Sequence, residues 1–452
     1  MSDTWAFQTR QVHSGAAPDP TTGARATPIF ATSSFVYESA DAAAATFRLD
    51  DLDAYSYTRL GNPTTAVVEQ RIADLEGGVS AVATASGQAA TAMALLTLLR
   101  TGDHIVAAQQ VYGGTSSLLD GRFRELGVET TWIDDIADLD AWRLAVRPST
   151  RAFFAETITN PTGAVLDIEA VARVAHDDAR VPLVVDNTLA TPYLLRPLEH
   201  GADIVVHSTT KFLAGHGTAI GGIVVDGGTF DFGAESERWP GFHEIEAGRG
   251  DLSIWQRFGP ARLAYALRLR TTVLRDYGPA VSPFNSFLLL QGLETLSLRM
   301  RQHVAGAAAV IEFLARHPLV ERVHHPSIPG TPWSETARRL LPEGGGAIVA
   351  FDVVGGADAG RRLVESLQLF SHLANVGDVR SLVIHPASTT HSGLTEAGLA
   401  AAGIGGGLVR LSIGIEEPAD IVADLAQGLA ALAPSASPAS PEVPVSAEAT
   451  SR

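Results

Sequence analysis

Short apolar runs alternate with stretches of helical length between about residues 66 and 226, and this alternation restricts the fold more than any other feature. A parallel strand is covered on both faces and therefore reads as a continuous apolar run. Strands that alternate with helices predict an α/β fold with a mainly parallel sheet. The predicted strands are 81–84, 104–108, 129–133, 152–157, 183–185, 204–207 and 220–225.

The chain is too long for one ordinary core, since 452 residues and 47.5 kDa exceed the usual size of a domain. The remainder has a helical pattern at about 288–316, strands near 347–353 and 408–413, and a closing helix near 419–432. We therefore predict a large domain followed by a smaller α/β C-terminal domain. The predicted segments are an N-terminal arm (1–65), the large domain (66–270, with an excursion at 227–262), the C-terminal domain (271–433) and a disordered tail (434–452).

Charge and composition exclude several classes of partner. The net charge of −17 argues against binding to nucleic acid or to anionic membranes. Without cysteine there are no disulfide bonds and no thiolate metal sites, and no metal centre is predicted. The first residues lack the basic and then apolar pattern of a signal peptide, so we expect a cytoplasmic protein.

Lys211 is the only lysine; the other positively charged side chains are all arginine. A guanidinium stays protonated and cannot attack a carbonyl, so a single lysine in an arginine-rich chain is a candidate Schiff-base nucleophile. Chance loss of the other lysines explains the count equally well. Because Lys211 follows a predicted strand, in the ligand-binding position of α/β sheets, its surroundings favour the nucleophile.

Hydroxyl groups and glycines near Lys211 are suited to a phosphate. Ser208 and Thr210 lie within three residues of it, and Ser86-Gly87-Gln88 follows another strand and opens a helix, whose first N–H groups are free. An amine next to a phosphate site is what pyridoxal 5′-phosphate (PLP) requires. Short turns of this kind before helices are nevertheless common.

Three further side chains have a possible role beside such a cofactor. Asp186 ends an apolar strand and could pair with a pyridinium nitrogen, although a turn aspartate is as good an explanation. Tyr112 could stack on the ring or belong to a loop. Arg410 lies on an apolar strand, where its fork fits a substrate carboxylate, but a surface ion pair is the alternative.

Seven motifs in the same order and spacing resemble the Cys/Met metabolism family of PLP-dependent enzymes, which have fold-type I. The resemblance covers nearly the whole chain except the tail. The motifs are Tyr57-Thr58-Arg59 with Asn62-Pro63-Thr64, Ser86-Gly87, Tyr112-Gly113-Gly114, Asn160-Pro161-Thr162, Asp186-Asn187-Thr188, Ser208-Thr209-Thr210-Lys211 and Arg410-Leu411-Ser412.

The resemblance implies a role for each matching residue. Lys211 would hold PLP covalently, and Ser86, Gly87, Gln88, Ser208 and Thr210 would surround its phosphate. Asp186 would pair with the ring nitrogen, Asn160 would lie near the ring hydroxyl and Tyr112 would stack. Arg410 and Ser381 would bind the substrate. Tyr57 and Arg59 would reach a neighbouring subunit's phosphate, so a homo-oligomer with shared sites, usually a tetramer, is expected.

Within the family, residues 375–391 and the excursion at 227–262 resemble the branch that exchanges the acetyl group of O-acetylhomoserine for sulfide. The expected substrates are therefore small molecules, an acyl-homoserine and sulfide. Cystathionine γ-synthase and γ-lyase activities are the alternatives. Lyases of the family typically have a cysteine near the stacking tyrosine, and this chain has none. The sequence does not decide between acetyl and succinyl groups, or between sulfide and another thiol.

Overall fold

The computed structural model describes residues 4–245, 251–390, 392–393, 395, 398–399 and 403–432. Its first sheet contains all of the strands predicted in the large domain, each within two residues of the predicted ends. They are β1 (Ser80–Thr84), β2 (His104–Ala108), β3 (Glu129–Ile133), β4 (Thr150–Glu156), β5 (Leu183–Asp186), β6 (Ile204–Ser208) and β7 (Gly222–Asp226).

The strand order in this sheet is β1-β7-β6-β5-β4-β2-β3. Neighbouring strands from β6 to β3 are parallel, whereas β7 is antiparallel to both β6 and β1. The predicted mainly parallel sheet is thus confirmed. Since β4, β5 and β6 point the same way, the residues that end them lie at one edge, where α/β sheets bind ligands.

The second sheet has the order β10-β11-β12-β9-β8. Its strands are β8 (Val320–His324), β9 (Ile348–Val353), β10 (Ser371–His372), β11 (Leu382–Ile384) and β12 (Leu408–Ser412). Only β9 and β12 were predicted. The other three lack the apolar run that marks a buried strand, because β8 exposes Glu321 and Arg322 and the remaining two are only two or three residues long.

Helices cover both sheets and form the ordered parts of the arm. The α-helices are α1 (Phe7–His13), α2 (Ala40–Arg48), α3 (Pro63–Glu76), α4 (Gly87–Leu98), α5 (Gly113–Ser117), α6 (Leu139–Leu144), α7 (Ile168–Arg173), α8 (Thr191–Leu194), α9 (Pro240–His243), α10 (Ile254–Phe258), α11 (Ala264–Arg268), α12 (Arg275–Tyr277), α13 (Pro283–Leu293), α14 (Leu296–Leu314), α15 (Ser334–Leu340), α16 (Gly356–Ser366) and α17 (Pro418–Ala430). π-Helical turns extend α5, α7 and α11.

The prediction of one long helix at 288–316 is wrong, because α13 and α14 are separate helices. The backbone of Thr295 leaves helical geometry, with φ −115° and ψ 8°. The carbonyl of Gly292 accepts hydrogen bonds from the Thr295 N–H and from the guanidinium of Arg299. A hydrophobic pattern does not reveal such a break, since the apolar faces of both helices continue through it.

One hydrophobic cluster of buried side chains extends from α3 through both sheets to α17. The excursion packs against the core through buried Phe232, Trp239 and Phe242, whose rings stack on one another or meet edge to face. Within the described ranges, none of the helices has the length and apolar character needed to cross a bilayer. The predicted domain boundaries remain predictions, and the tail lies outside the described residues.

Candidate active site

Lys211 lies three residues beyond β6 in a turn whose backbone is internally bonded. The Lys211 N–H donates to the carbonyl of Ser208 at 3.3 Å, and the Gly215 N–H donates to the carbonyl of Lys211 at 2.8 Å. The side-chain Nζ donates to Oδ1 of Asn375 at 2.5 Å. Burial and, second, the charge of Arg410 lower the pKa of Lys211. A lowered pKa favours the free amine, which is the form that attacks a carbonyl carbon.

Two carboxyl groups meet at the ends of adjacent parallel strands. Asp186 ends β5 and is in register with Glu156, which ends β4. Asp186 Oδ1 accepts the Thr188 N–H at 2.9 Å, and Glu156 Oε1 accepts the Tyr112 N–H at 2.5 Å. Burial raises the pKa of both carboxyls, and the charge of Asp186 further raises the pKa of Glu156. In the described part of the chain, no arginine or lysine forms an ion pair with either, so a bound cation would be stabilised here.

Arg410 is a positively charged side chain that, like Asp186 and Glu156, forms no ion pair with the residues that the structure describes. It lies in β12, where Nη1 donates to Asn160 Oδ1 at 3.3 Å and Nη2 donates to the Asn375 carbonyl at 3.2 Å. Its buried Nε has no hydrogen-bond acceptor, and no carboxylate pairs with the guanidinium among the residues that the structure describes. Burial lowers the pKa of Arg410 to about 10. The arrangement favours an anionic ligand, and a carboxylate matches the fork.

The N-terminus of α4 approaches the end of β6 very closely. A Cβ on Gly87 would lie 2.5 Å from the Cβ of Ser208, so only glycine fits there. Ser86 caps the helix by accepting the Ala89 N–H at 3.1 Å. The N–H groups of Gly87 and Gln88 are the first two of the helix and have no intrahelical acceptor. Free N–H groups at a helix N-terminus, beside a serine, form a suitable phosphate site.

Backbone contacts hold the remaining hydroxyl groups of this site. The Ser208 N–H donates to the hydroxyl of Thr188 at 2.8 Å, which ties the end of β6 to the turn after Asp186. The hydroxyl of Thr210 lies 3.2 Å from the carbonyl and 3.1 Å from the N–H of Gly221. The Thr210 hydroxyl therefore has partners within the chain, whereas the side chain of Ser208 lies beside the free N–H groups of α4.

Tyr112 is anchored through its backbone, and its ring is exposed. The ring lies against Gly114, where an added Cβ would come within 2.4 Å of a ring carbon. Gln88 donates to the carbonyl of Gly114 at 2.8 Å. The tyrosine loop, the start of α4 and the carboxyl of Glu156 are thus connected, and the exposed ring is available to a ligand.

Three residues predicted for the site lie apart from the hydrogen bonds described above: Tyr57, Arg59 and Ser381. Tyr57 is exposed, and the Arg59 guanidinium lies 5.5 Å from the centre of its ring and donates to the carbonyl of Arg275. Ser381 is buried; its hydroxyl donates to Glu416 at 2.9 Å and accepts the Gly414 N–H at 2.9 Å. Its hydroxyl therefore already has both a donor and an acceptor.

Two residues that the sequence did not suggest belong to the site. Asn375 contacts Lys211 through its side chain and Arg410 through its carbonyl. It begins the 375–391 stretch, which resembled the family branch, but neither residue type nor periodicity distinguished it. Glu156 was assigned only to a strand. A carboxylate closing an apolar parallel strand, as Asp186 does, was the available signal.

These residues fit pyridoxal phosphate and an amino acid. Lys211 offers an amine, Asp186 offers a carboxylate without a cationic partner to the pyridinium, and Arg410 offers a cation without an anionic partner to the substrate. The α4 N-terminus offers N–H groups to the phosphate. Each charged group of the ligand would therefore meet a group that lacks an ionic partner in the chain.

The chain is similar to known proteins over nearly its whole length. The family model for Cys/Met metabolism PLP-dependent enzymes matches residues 8–430. O-acetyl-L-homoserine sulfhydrylase of Leptospira meyeri is 47% identical over 93% of this chain and 96% of its own. The protein of the same name in Corynebacterium glutamicum is 46% identical over 95% and 98%.

A solved structure is similar to nearly the whole of this chain. It is described as an O-acetylhomoserine (thiol)-lyase from Campylobacter jejuni and contains N′-pyridoxyl-lysine-5′-monophosphate. Its TM-score is 0.89 at 35% identity, covering 94% of this chain and 100% of the other. The fold is that of the fold-type I PLP-dependent enzymes. The chain belongs to the Cys/Met metabolism family of PLP-dependent enzymes.

Proposed function

We propose that this enzyme converts O-acetyl-L-homoserine and sulfide to L-homocysteine and acetate, a γ-replacement in methionine biosynthesis. The observation that carries the proposal concerns three groups. Lys211 shares Asn375 with Arg410 and follows β6, the strand next to the one that Asp186 ends. Neither Arg410 nor Asp186 has an ionic partner in the described chain. The names of the relatives at 46–47% identity support the choice of substrate.

PLP, when bound, supplies an electron sink for the amino acid. Lys211 would hold the cofactor, and its free amine would remove the proton from Cα of the bound substrate and assist proton loss at Cβ. Asn375 keeps the released amine within reach. Arg410 would hold the carboxylate, Asp186 would keep the ring nitrogen protonated, and Tyr112 would cover the ring. Acetate would then leave from Cγ and the sulfur of hydrosulfide would form its bond at the same carbon. The protons taken from Cβ and Cα would finally be returned to those two carbons, with the Lys211 amine as the proton donor.

The choice of acyl group and nucleophile is tested by measuring the products of the purified enzyme. We expect homocysteine from O-acetylhomoserine and sulfide, with slower turnover of O-succinylhomoserine. Cystathionine formed from cysteine at a higher rate would indicate a γ-synthase. Release of 2-oxobutyrate without any thiol would indicate a γ-lyase. Either result as the main activity would contradict the proposal.

An Arg410→Lys variant should keep the bound cofactor but lose affinity for O-acetylhomoserine. Lysine keeps the positive charge but cannot bind both carboxylate oxygens as the guanidinium does. We expect kcat/KM to fall by roughly 10-fold or more, because a charge-assisted hydrogen bond contributes about 1.5–3 kcal/mol. Arg322→Lys, on the exposed face of β8 in the same sheet, is the matched control. Unchanged kinetics in the Arg410 variant would remove Arg410 from the site.

The exposed ring of Tyr57, with the half-buried Arg59 beside it, supports a second part of the proposal, that active sites are shared between subunits of a homo-oligomer. If Arg59 completes the neighbour's phosphate site, an inactive Arg59→Ala chain and an inactive Lys211→Ala chain should complement each other. Random reassociation makes half of the dimers hybrids with one intact site in two, so about a quarter of wild-type activity should return.

A matched control uses two chains that are changed in the same half of the site. Mixing Lys211→Ala with Asp186→Ala should restore nothing, because no hybrid contains an intact site. Hybrid formation is verified with differently tagged chains and native mass spectrometry. Verified hybrids of the Arg59 and Lys211 variants without activity would mean that the sites are not shared.

A further inference from the structure

Arg299 is a buried cation that reaches from α14 to the backbone just after Lys211. Its side chain is 4% exposed. Nη1 donates to the carbonyl of Phe212 at 2.7 Å, and Nη2 donates to the carbonyls of Gly292 at 2.7 Å and Leu213 at 3.3 Å. Nε donates to the hydroxyl of Thr295 at 3.2 Å. Every acceptor is neutral, and in the described ranges no carboxylate forms an ion pair with the guanidinium.

The packing around these hydrogen bonds leaves no room for side chains at three glycines. A Cβ on Gly215 would lie 2.1 Å from Nη1 of Arg299, and one on Gly292 would lie 2.3 Å from the carbonyl oxygen of Ala214. A Cβ on Gly377 would lie 2.6 Å from the backbone nitrogen of Phe212. The segment that follows Lys211 is therefore enclosed by α13, by α14 and by the 375–380 stretch.

Burying a guanidinium without an anion is costly, and stability alone does not require it. Neutral donors, or water, would satisfy peptide carbonyls at a lower desolvation cost. The cost is visible in the pKa of Arg299, which burial lowers to about 10. The guanidinium instead fixes the position of the segment after Lys211, because its planar fork binds two consecutive carbonyls of that segment and the end of α13 at the same time.

We propose that Arg299 is a positioning residue for Lys211, fixing the 211–215 segment so that the ε-amine meets the carbonyl carbon that it must attack. This inference rests on Lys211 as the covalent residue and not on the choice of sulfide or acyl group. The cofactor's phosphate and ring would be bound at the N-terminus of α4, by Ser208 before the lysine, and at Asp186, none of which Arg299 contacts through a hydrogen bond. Loss of Arg299 should therefore slow the covalent step while leaving the reversible binding of the cofactor intact.

The test measures two events after PLP is mixed with cofactor-free protein. Reversible binding is followed by quenching of protein fluorescence, and bond formation by the visible absorbance of the lysine adduct. In Arg299→Met we expect unchanged reversible affinity but slower bond formation, by about 10²-fold, which is the cost of roughly 1 Å of misplacement. kcat should fall with little change in KM. Arg299→Lys retains one donor and should recover part of the rate.

Arg71→Met is the matched control, because Arg71 is another buried guanidinium, 1% exposed, on α3. It donates to the Ser14 carbonyl at 3.0 Å and lies 3.6 Å from Glu294, and it forms no hydrogen bond with residues 211–215 in the described structure. Loss of this arginine should lower thermal stability without slowing bond formation. If Arg299→Met loses stability as Arg71→Met does but forms the bond at the wild-type rate, Arg299 is merely structural and the proposal is wrong.

A milder variant keeps the test decisive if Arg299→Met does not fold. Thr295→Val removes the acceptor of Nε and leaves the guanidinium in place. We expect slower bond formation than in the wild type, in the same direction as for Arg299→Lys. Wild-type rates in both Thr295→Val and Arg299→Lys would overturn the proposal. Neither the fluorescence nor the absorbance measurement requires sulfide or O-acetylhomoserine. A different overall activity of the enzyme would therefore not affect these two results.

Discussion

A Lys211→Arg variant is expected to lose the covalent cofactor and nearly all turnover. The guanidinium keeps the positive charge but neither condenses with an aldehyde nor accepts a proton near neutral pH. General acid–base catalysis alone contributes roughly 10²–10⁴-fold, so we expect kcat to fall by at least about 10³-fold. Activity is measured with O-acetylhomoserine and sulfide, and the covalent bond by borohydride reduction and peptide mapping.

The single lysine makes this experiment unusually specific. In the wild type, the reduced pyridoxyl group should map to the peptide containing Lys211, since the α-amino terminus is the only other primary amine. Adding Arg316→Lys to the Lys211→Arg variant introduces an exposed lysine on the chain. This double variant should remain unlabelled and inactive. A label at the N-terminus of the wild type, or wild-type turnover without Lys211, would show that Lys211 does not hold the cofactor.

An Asp186→Asn variant should be much less active and, without cofactor, more stable at higher pH. Asparagine retains an acceptor for the Thr188 N–H but cannot pair with a pyridinium cation. Breaking a buried ion pair costs about 3–5 kcal/mol, which corresponds to roughly 10²–10⁴-fold in turnover or cofactor affinity. Steady-state kinetics and cofactor titration measure the loss.

The expected gain in stability of the cofactor-free Asp186→Asn variant follows from the raised pKa of Asp186 in the wild type. A carboxyl whose pKa is higher in the folded protein than in the unfolded chain stabilises the fold at low pH. That contribution is lost as the pH rises through the folded-state pKa. Thermal unfolding of the cofactor-free proteins should therefore show the variant gaining stability over the wild type as the pH rises. Asp358→Asn, at an exposed carboxyl on α16, should show no such gain. If the wild type were more stable than Asp186→Asn at high pH, the raised pKa of Asp186 would be contradicted.

The large-domain strands were predictable because parallel strands buried on both faces leave a continuous apolar run. The phenylalanine and alanine residues of β4 and the valines of β5 are of this kind. Lys211 and Arg410 could be selected as candidate site residues for a related reason, and their roles stay predictions. A single lysine and an arginine on an apolar strand conflict with their surroundings, and such conflicts often mark functional positions.

The parts that were missed depend on contacts between distant segments. Nothing local places β7 between β1 and β6, or brings Arg410 to Asn160, 250 residues earlier. Asn375 resembles any loop asparagine until Lys211 and Arg410 are seen on either side of it. At the break between α13 and α14, Arg299 binds both Gly292 and the distant Phe212, and a single glycine in a helical pattern does not by itself end a helix.

The Nε of Arg410, which has no acceptor within the described chain, also bears on which molecules the enzyme rejects. An ester, an amide or an internal residue of a peptide would bring no carboxylate to the guanidinium and would leave a desolvated cation uncompensated. Sites that are built to bind a polar group reject analogues lacking that group by as much as about 10⁴-fold. If Arg410 binds the substrate carboxylate as proposed, it would also exclude from the cofactor the many amines in the cell that are not free amino acids.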